Sequence, residues 1–162
     1  MRKILANQDE MVAQWVASRI PIFEFGSSPY TAIGLMSDGV MLAGVVYQNY
    51  TRIDIQMHTA AVEGSKWLTS KFLGEVFRYP FEQLQVHRVT ALIPALNTRS
   101  EKFCKHLGFK KEGRVREILP QGEDLLVYGM LKRECRFLNI GRFNGLANRF
   151  PEKSLSNTAT AL

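Results

Sequence analysis

Two short apolar runs with a helical stretch between them limit what this chain can fold into. Arg52–Thr59 alternates, with Ile53, Ile55, Met57 and Thr59 on one face and Asp54, Gln56 and His58 on the other, which is the period of a β-strand. Trp67, Leu68, Phe72, Leu73, Val76 and Phe77 then recur at helical spacing, and His87–Ile93 is a second apolar strand that Pro94 ends. Strands separated by a helix can be parallel neighbours, because a parallel pair needs a crossover connection of about a dozen residues or more. A loop of small residues, Ala60–Ser65, lies between the first strand and the helix.

The remaining elements fit around that unit. Asp9 stands at a helix N-cap position, and Met11, Val12, Trp15, Val16 and Ile20 follow at spacings of three and four until Pro21 stops the pattern. Thr31–Ser37 and Val40–Asn49 are apolar strands joined by Asp38-Gly39, a pair suited to the positive φ of a tight hairpin turn. Asn97 or Thr98 can cap a short helix that ends at Gly108, after which Phe109 re-enters the core. Lys111–Leu119 and Asp124–Lys132 flank Pro120-Gln121-Gly122 as a closing hairpin. The expected class is α/β (α+β), with a mixed, mainly antiparallel sheet flanked by helices.

A chain of 162 residues, 46% apolar, is sized for one domain. Residues 1–138 are taken as that domain. Residues 139–162, rich in Asn, Gly, Ser and Thr, are taken as a C-terminal extension whose end, Ser154–Leu162, is expected to be mobile. The net charge of +6 favours phosphates, acidic proteins or nucleic acid without choosing among them. Cys104 and Cys135 form no ligand cluster, so no metal site is expected. Met1–Asn7 lacks the apolar core of a secretory signal, and Val40–Tyr47 is too short to cross a bilayer, which takes about 20 apolar residues. A cytoplasmic protein with no membrane partner is the expectation.

Asn97-Thr98-Arg99-Ser100, then Leu107-Gly108-Phe109, then Glu112-Gly113 resembles the pattern of the GNAT superfamily of acyl-coenzyme A N-acetyltransferases. That pattern is an Asn, a small residue three on, and a Gly-Phe eleven and twelve on. The following Glu-Gly and Arg116 resemble the branch of ribosomal-protein alanine acetyltransferases. Phe77-Arg78-Tyr79-Pro80-Phe81, Leu84–Thr90 and Tyr128-Gly129-Met130 fit it as well. In element order the likeness covers about Asp9 to Arg136, and its sequence-specific part about Trp67–Met130.

The resemblance implies a fold with a central splayed strand pair and acetyl-coenzyme A as cosubstrate, its pantetheine arm lying between Ile53–Thr59, with Met57 and Thr59, and Arg88–Ile93. It also implies coenzyme contacts from Asn97 and Ser100. The family's pyrophosphate loop corresponds to Ala60–Lys66, where Gly64, Ser65 and Lys66 are the candidate phosphate ligands. The loop departs from the family: it keeps one glycine, has no opening Arg or Gln, and carries Glu63. A strand leading into a helix suits phosphate, because unpaired N–H groups at a helix N-terminus attract anionic oxygens. An ordinary capped helix start reads the same residues equally well, as simple capping does Asn97.

Acetyl transfer to an amine needs a base, sought on the polar face of the third strand. His58, which ordinarily titrates near neutrality, and Asp54 are the candidates, with Glu24 a third; each is also readable as a plain structural residue. The family's leaving-group acid is a Tyr seven residues after its Asn. That position is Cys104 here, readable too as a small buried side chain. Tyr30, Glu117 and Tyr128 are candidate linings of an acceptor pocket.

Three functions compete. The first is an N-acetyltransferase acting by direct attack of a primary amine, on a protein N-terminus or a small molecule. The second is a non-catalytic GNAT-shaped module with a protein partner, such as an accessory or virion protein of a phage. The third is nucleic-acid binding through Lys132-Arg133, Arg136 and Arg142, interleaved with Phe137 and Phe143.

Overall fold

The computed structural model describes residues 1–20 and 28–139. Glu24, Arg142, Phe143 and nearly all of the C-terminal extension lie outside them. In chain order the elements are β1 (Arg2–Leu5), α1 (Asp9–Ala17), β2 (Tyr30–Ser37), β3 (Val40–Gln48), β4 (Asp54–Ala61), α2 (Ser70–Arg78), β5 (Arg88–Pro94), α3 (Thr98–Leu107), β6 (Lys110–Val115) and β7 (Leu125–Leu131). The described strands form one sheet in the order β1-β2-β3-β4-β5-β7-β6. All neighbours are antiparallel except β4 and β5. This is the mixed, mainly antiparallel α+β sheet expected, with the crossover from β4 through α2 to β5.

Several backbone positions behave as their residues dictate. Asp38 and Gly39 take φ of 49° and 82° at the β2–β3 turn. Gly108 ends α3 in the left-handed region at φ 104°, and Asn97 caps its start.

α1 packs on one face of β2, β3 and β4. Gly34 and Gly44 lie opposite each other in β2 and β3 and let it approach. A Cβ on Gly44 would stand 2.6 Å from a Val16 methyl, and one on Gly34 2.9 Å from a Val12 methyl. The other face buries Ile55, Met57, Phe72, Phe77, Leu107, Phe109 and Tyr128 in the main core.

Some expected boundaries move. Asp9 is the first residue of α1 rather than its cap, and its carboxylate accepts from the Ala32 N–H at 2.9 Å, tying the helix to β2. The helix ends at Ala17, short of Ile20, and Met11 is exposed. β1 is a short edge strand that the pattern of residues did not announce. β6 and β7 are shorter than expected because the chain leaves the ladder after Val115. Asp124 then holds the connecting loop, accepting from the Glu117 N–H at 2.8 Å and pairing with Arg114.

α2 differs most. It begins at Ser70, so Trp67 and Leu68, though spaced like helix residues, precede it in irregular chain, where the Thr69 N–H donates to the Trp67 carbonyl at 2.8 Å. Trp67 packs edge-on against Phe72, with centroids 6.2 Å apart, and against Phe103 at 5.2 Å, which explains its apolar character without helicity.

Candidate active site

β4 and β5 pair only through Asp54↔Arg88, Ile55↔Val89 and Gln56↔Thr90. Beyond these, β4 stays paired with β3 as far as Ala61, and β5 with β7 as far as Pro94. From Met57 and Ala91 onward the central strands therefore part, and their facing edges have no strand neighbour. Backbone N–H and C=O groups on such edges seek partners, so the slot can receive a ligand that pairs as a strand would. Because the two strands are parallel, their C-terminal ends share one mouth. α2 and α3 follow from those ends and turn their N-termini toward it.

The closed end of the slot is pinned by charge. The Arg88 guanidinium holds both oxygens of Glu112, with Nη1–Oε1 at 3.1 Å and Nη2–Oε2 at 2.5 Å, and its Nε lies 3.5 Å from Asp54 Oδ1. The Thr90 hydroxyl donates to the same Asp54 oxygen at 2.8 Å. Gly129 makes room for the cluster, since a Cβ there would stand 2.4 Å from Glu112 and 2.5 Å from Arg88. Asp54 is thus a member of an ionic clamp below the slot. It sits about 13 Å along the strand from His58, at about 3.3 Å per residue, so the two candidate bases do not act on one atom.

His58 is the second residue of β4 past the last β4–β5 pair, on the side of the sheet that α1 covers. Burial pushes its pKa down to about 4. Its imidazole is therefore neutral at pH 7, the form that can take a proton. Met57 and Thr59 point to the opposite side, Met57 buried and Thr59 partly open.

The loop after β4 does not put Gly64, Ser65 and Lys66 at a helix start. Val62–Ser65 closes a turn, with Gly64 at φ 71° and both the Ser65 N–H and its hydroxyl donating to the Val62 carbonyl, at 3.2 and 2.7 Å. The helix start lies further on, where the Thr69 hydroxyl accepts from the Phe72 N–H at 3.2 Å. The backbone suited to an anion is thus Ser70-Lys71 behind a Thr69 cap, for which the Thr69-Ser70 pair is the signal in the sequence. Across the mouth, Asn97 Oδ1 accepts from the Ser100 N–H at 3.0 Å, so Asn97 caps α3 and Ser100 is its capped residue.

Cys104 is buried beneath α3, and burial pushes its thiol up to about 12. Tyr128 does not line an acceptor pocket: it is buried in the core, and its hydroxyl donates to the Glu101 carboxylate. Tyr30 stands on β2, four strands from Tyr128 or about 19 Å at the usual strand spacing, while Glu117 is exposed on the β6–β7 loop. The three are not brought together. Phe137 is buried and stacked on Phe77 at 5.0 Å, and Arg136 lies over its ring, so that aromatic is not offered to a nucleobase. Among the described residues no group of three His, Cys, Asp or Glu could hold a metal ion, and no helix is long and apolar enough to cross a membrane.

A mixed sheet whose parallel central pair splays, with a helix leading away from each arm, is the fold of the GNAT acetyltransferases. In fold the chain is similar to solved GNAT acetyltransferases. No profile of a known protein family matches it. It is 26% identical over 113 residues to YdaF of Bacillus subtilis (strain 168), a candidate ribosomal N-acetyltransferase; the match spans 62% of this chain and 59% of that protein, less than two thirds of its length. A spermidine N-acetyltransferase of Vibrio cholerae, solved with CoA and spermine, superposes with a TM-score of 0.62 at 12% identity, over 85% of this chain and 98% of that one. A GNAT-family acetyltransferase of Bacillus anthracis gives 0.55 at 19% identity, over 64% and 67%.

Proposed function

We propose that the protein is an N-acetyltransferase that moves an acetyl group from acetyl-coenzyme A to a primary amine, on a protein N-terminus or a small molecule. The observation that carries this reading is the splay of β4 and β5 beyond Gln56 and Thr90. In it the amide-bearing pantetheine arm pairs with the free strand edges at Met57–Thr59 and Ala91–Ile93, and the pyrophosphate meets the start of α2 at Thr69–Lys71. Ser65, Lys66, Gly64, Asn97 and Ser100 then border the mouth rather than form its floor.

In the reaction the amine nitrogen attacks the thioester carbonyl. The N–C bond forms, the C–S bond breaks, and a proton leaves the nitrogen. His58, neutral and at the level where the strands part, is the proposed acceptor of that proton, directly or through water. Cys104 can donate a hydrogen bond to the leaving sulfur but not its proton. Transfer from a thiol near 12 to a thiolate whose acid is near 8.5 is uphill by roughly three units, about a thousandfold. The coenzyme thiolate takes its proton from solvent or from the amine's own, passed on by His58.

The test is incubation with acetyl-coenzyme A and a panel of amines, including spermidine and short peptides with free N-termini, reading released thiol and acetylated product by mass spectrometry. Product above the enzyme-free rate with one acceptor class supports the reading; none with any acceptor, at millimolar coenzyme, overturns it.

A further inference from the structure

Across the mouth of the slot, Glu63 and Arg99 form an ion pair, Nη1 to Oε1 2.9 Å. Glu63 stands in the turn after β4, and Arg99 is the second residue of α3, so the pair joins the two lips that the splay separates. Both side chains are open to solvent, at 82% and 72%. Glu63 is the single carboxylate in the loop 62–69, which also carries Lys66, and Lys71 follows in the first turn of α2. The other nearby carboxylate, Glu101, is engaged by Tyr128, Lys105 and Lys111. The mouth thus gathers two helix N-termini and three cations, with one internal anion placed on Arg99.

We infer that Glu63 and Arg99 form a charge latch, in which Glu63 occupies the guanidinium that a phosphate group of the incoming ligand takes. An ion pair this exposed holds by only about a few-fold in an equilibrium constant, and salt weakens it further. A phosphate presents more charge and more acceptor oxygens to the planar guanidinium than one carboxylate does. Displacement frees Glu63 to swing into solvent, while the ligand joins both lips through Arg99 and the start of α2. Arg99 is then a phosphate-binding residue and Glu63 the group that sets the threshold for binding. The identity of the ligand as coenzyme A rests on the acetyltransferase reading; the latch itself requires only a phosphate.

The test is calorimetric titration of wild type, Glu63→Gln, Arg99→Gln and the double variant with coenzyme A, at low salt, and in parallel with sodium pyrophosphate. Glu63→Gln should tighten coenzyme A about three- to tenfold, Arg99→Gln should weaken it by a similar factor, and Glu63→Gln should gain much less once Arg99 is gone. Thermal melts of the four proteins, expected to agree closely because the pair is exposed, show that the fold is retained. If coenzyme A binds and Glu63→Gln changes nothing, or tightens equally without Arg99, the latch is overturned and the acetyltransferase reading stands. If coenzyme A binds to none of the four but pyrophosphate shows the Glu63 and Arg99 dependence, the latch stands and that reading falls. If neither ligand responds to Glu63→Gln, the latch is overturned.

Discussion

The hydroxyl of Tyr47 on β3 donates to the carbonyl of Val76 in the last turn of α2, at 2.6 Å. In an α-helix that carbonyl accepts from the N–H four residues on, and here that residue is Pro80, which has none. The strand supplies the donor that the proline removes, and the chain passes from α2 into the π-helical turn Tyr79–Gln83 without abandoning a buried acceptor. Tyr47→Phe should therefore cost about 1–3 kcal/mol in equilibrium unfolding by denaturant. In a Pro80→Ala background, where a backbone N–H is restored, the same change should cost measurably less.

The close seat of α1 predicts a second cost. Gly44→Ala drives a Cβ to 2.6 Å from a branched Val16 side chain that has little freedom to turn away. A loss of about 1–3 kcal/mol is expected from overpacking, and a Val16→Ala partner should relieve most of it. Thermal denaturation of the single and double variants checks both statements.

His58 links stability to pH. Its folded pKa of about 4 lies below the ordinary 6.5, so the unfolded chain binds the extra proton first as pH falls. The contribution is complete above about 6.5 and is lost between there and about 4, up to roughly 3 kcal/mol at 1.36 kcal/mol per unit. His58→Gln should flatten the stability profile in that window. With His58 as the base, the acid limb of kcat falls near pH 4 to 5, and a limb near 6.5 would assign proton removal to another group.

Cys104 and Cys135 are both buried, with their thiols raised by burial. Neither should react with a thiol-alkylating or disulfide reagent in the native protein within minutes, and both should react on unfolding. Cys104→Ala should leave the acetyl-transfer rate within about threefold while lowering stability by about 1 kcal/mol, as loss of a small buried side chain does. A much larger rate loss would make Cys104 the acid after all.

What could be read from the residues was what the local backbone decides. Asp38-Gly39 and Gly108 need positive φ, Asn97 caps the helix beside it, and β4 alternates because one face of it is core. What could not be read depended on distant partners. Trp67 is apolar at helical spacing because it packs on Phe72 and Phe103, so the apolar period there reports packing and not helicity, and α2 begins only at Ser70, after Gly64–Lys66. Asp54 reads as a free acid on a polar face, yet Arg88 and Thr90 of the neighbouring strand hold it. β1 was hidden because only Leu5 of its four residues is fully buried. The likeness of Asn97–Gly113 to the GNAT pattern located the fold correctly, while the pocket expected of Tyr30, Glu117 and Tyr128 required side chains that the sheet keeps strands apart.

The central claim, that the slot between β4 and β5 is where the coenzyme lies, is tested most directly by residue-resolved amide hydrogen exchange with and without saturating acetyl-coenzyme A. Amides of Met57–Ala61 and Ala91–Ile93 that face the slot should exchange about tenfold or more slower in the complex, while those of α1 stay unchanged. Unchanged exchange in both segments at a coenzyme concentration that saturates binding, or protection confined to other elements, would contradict the account.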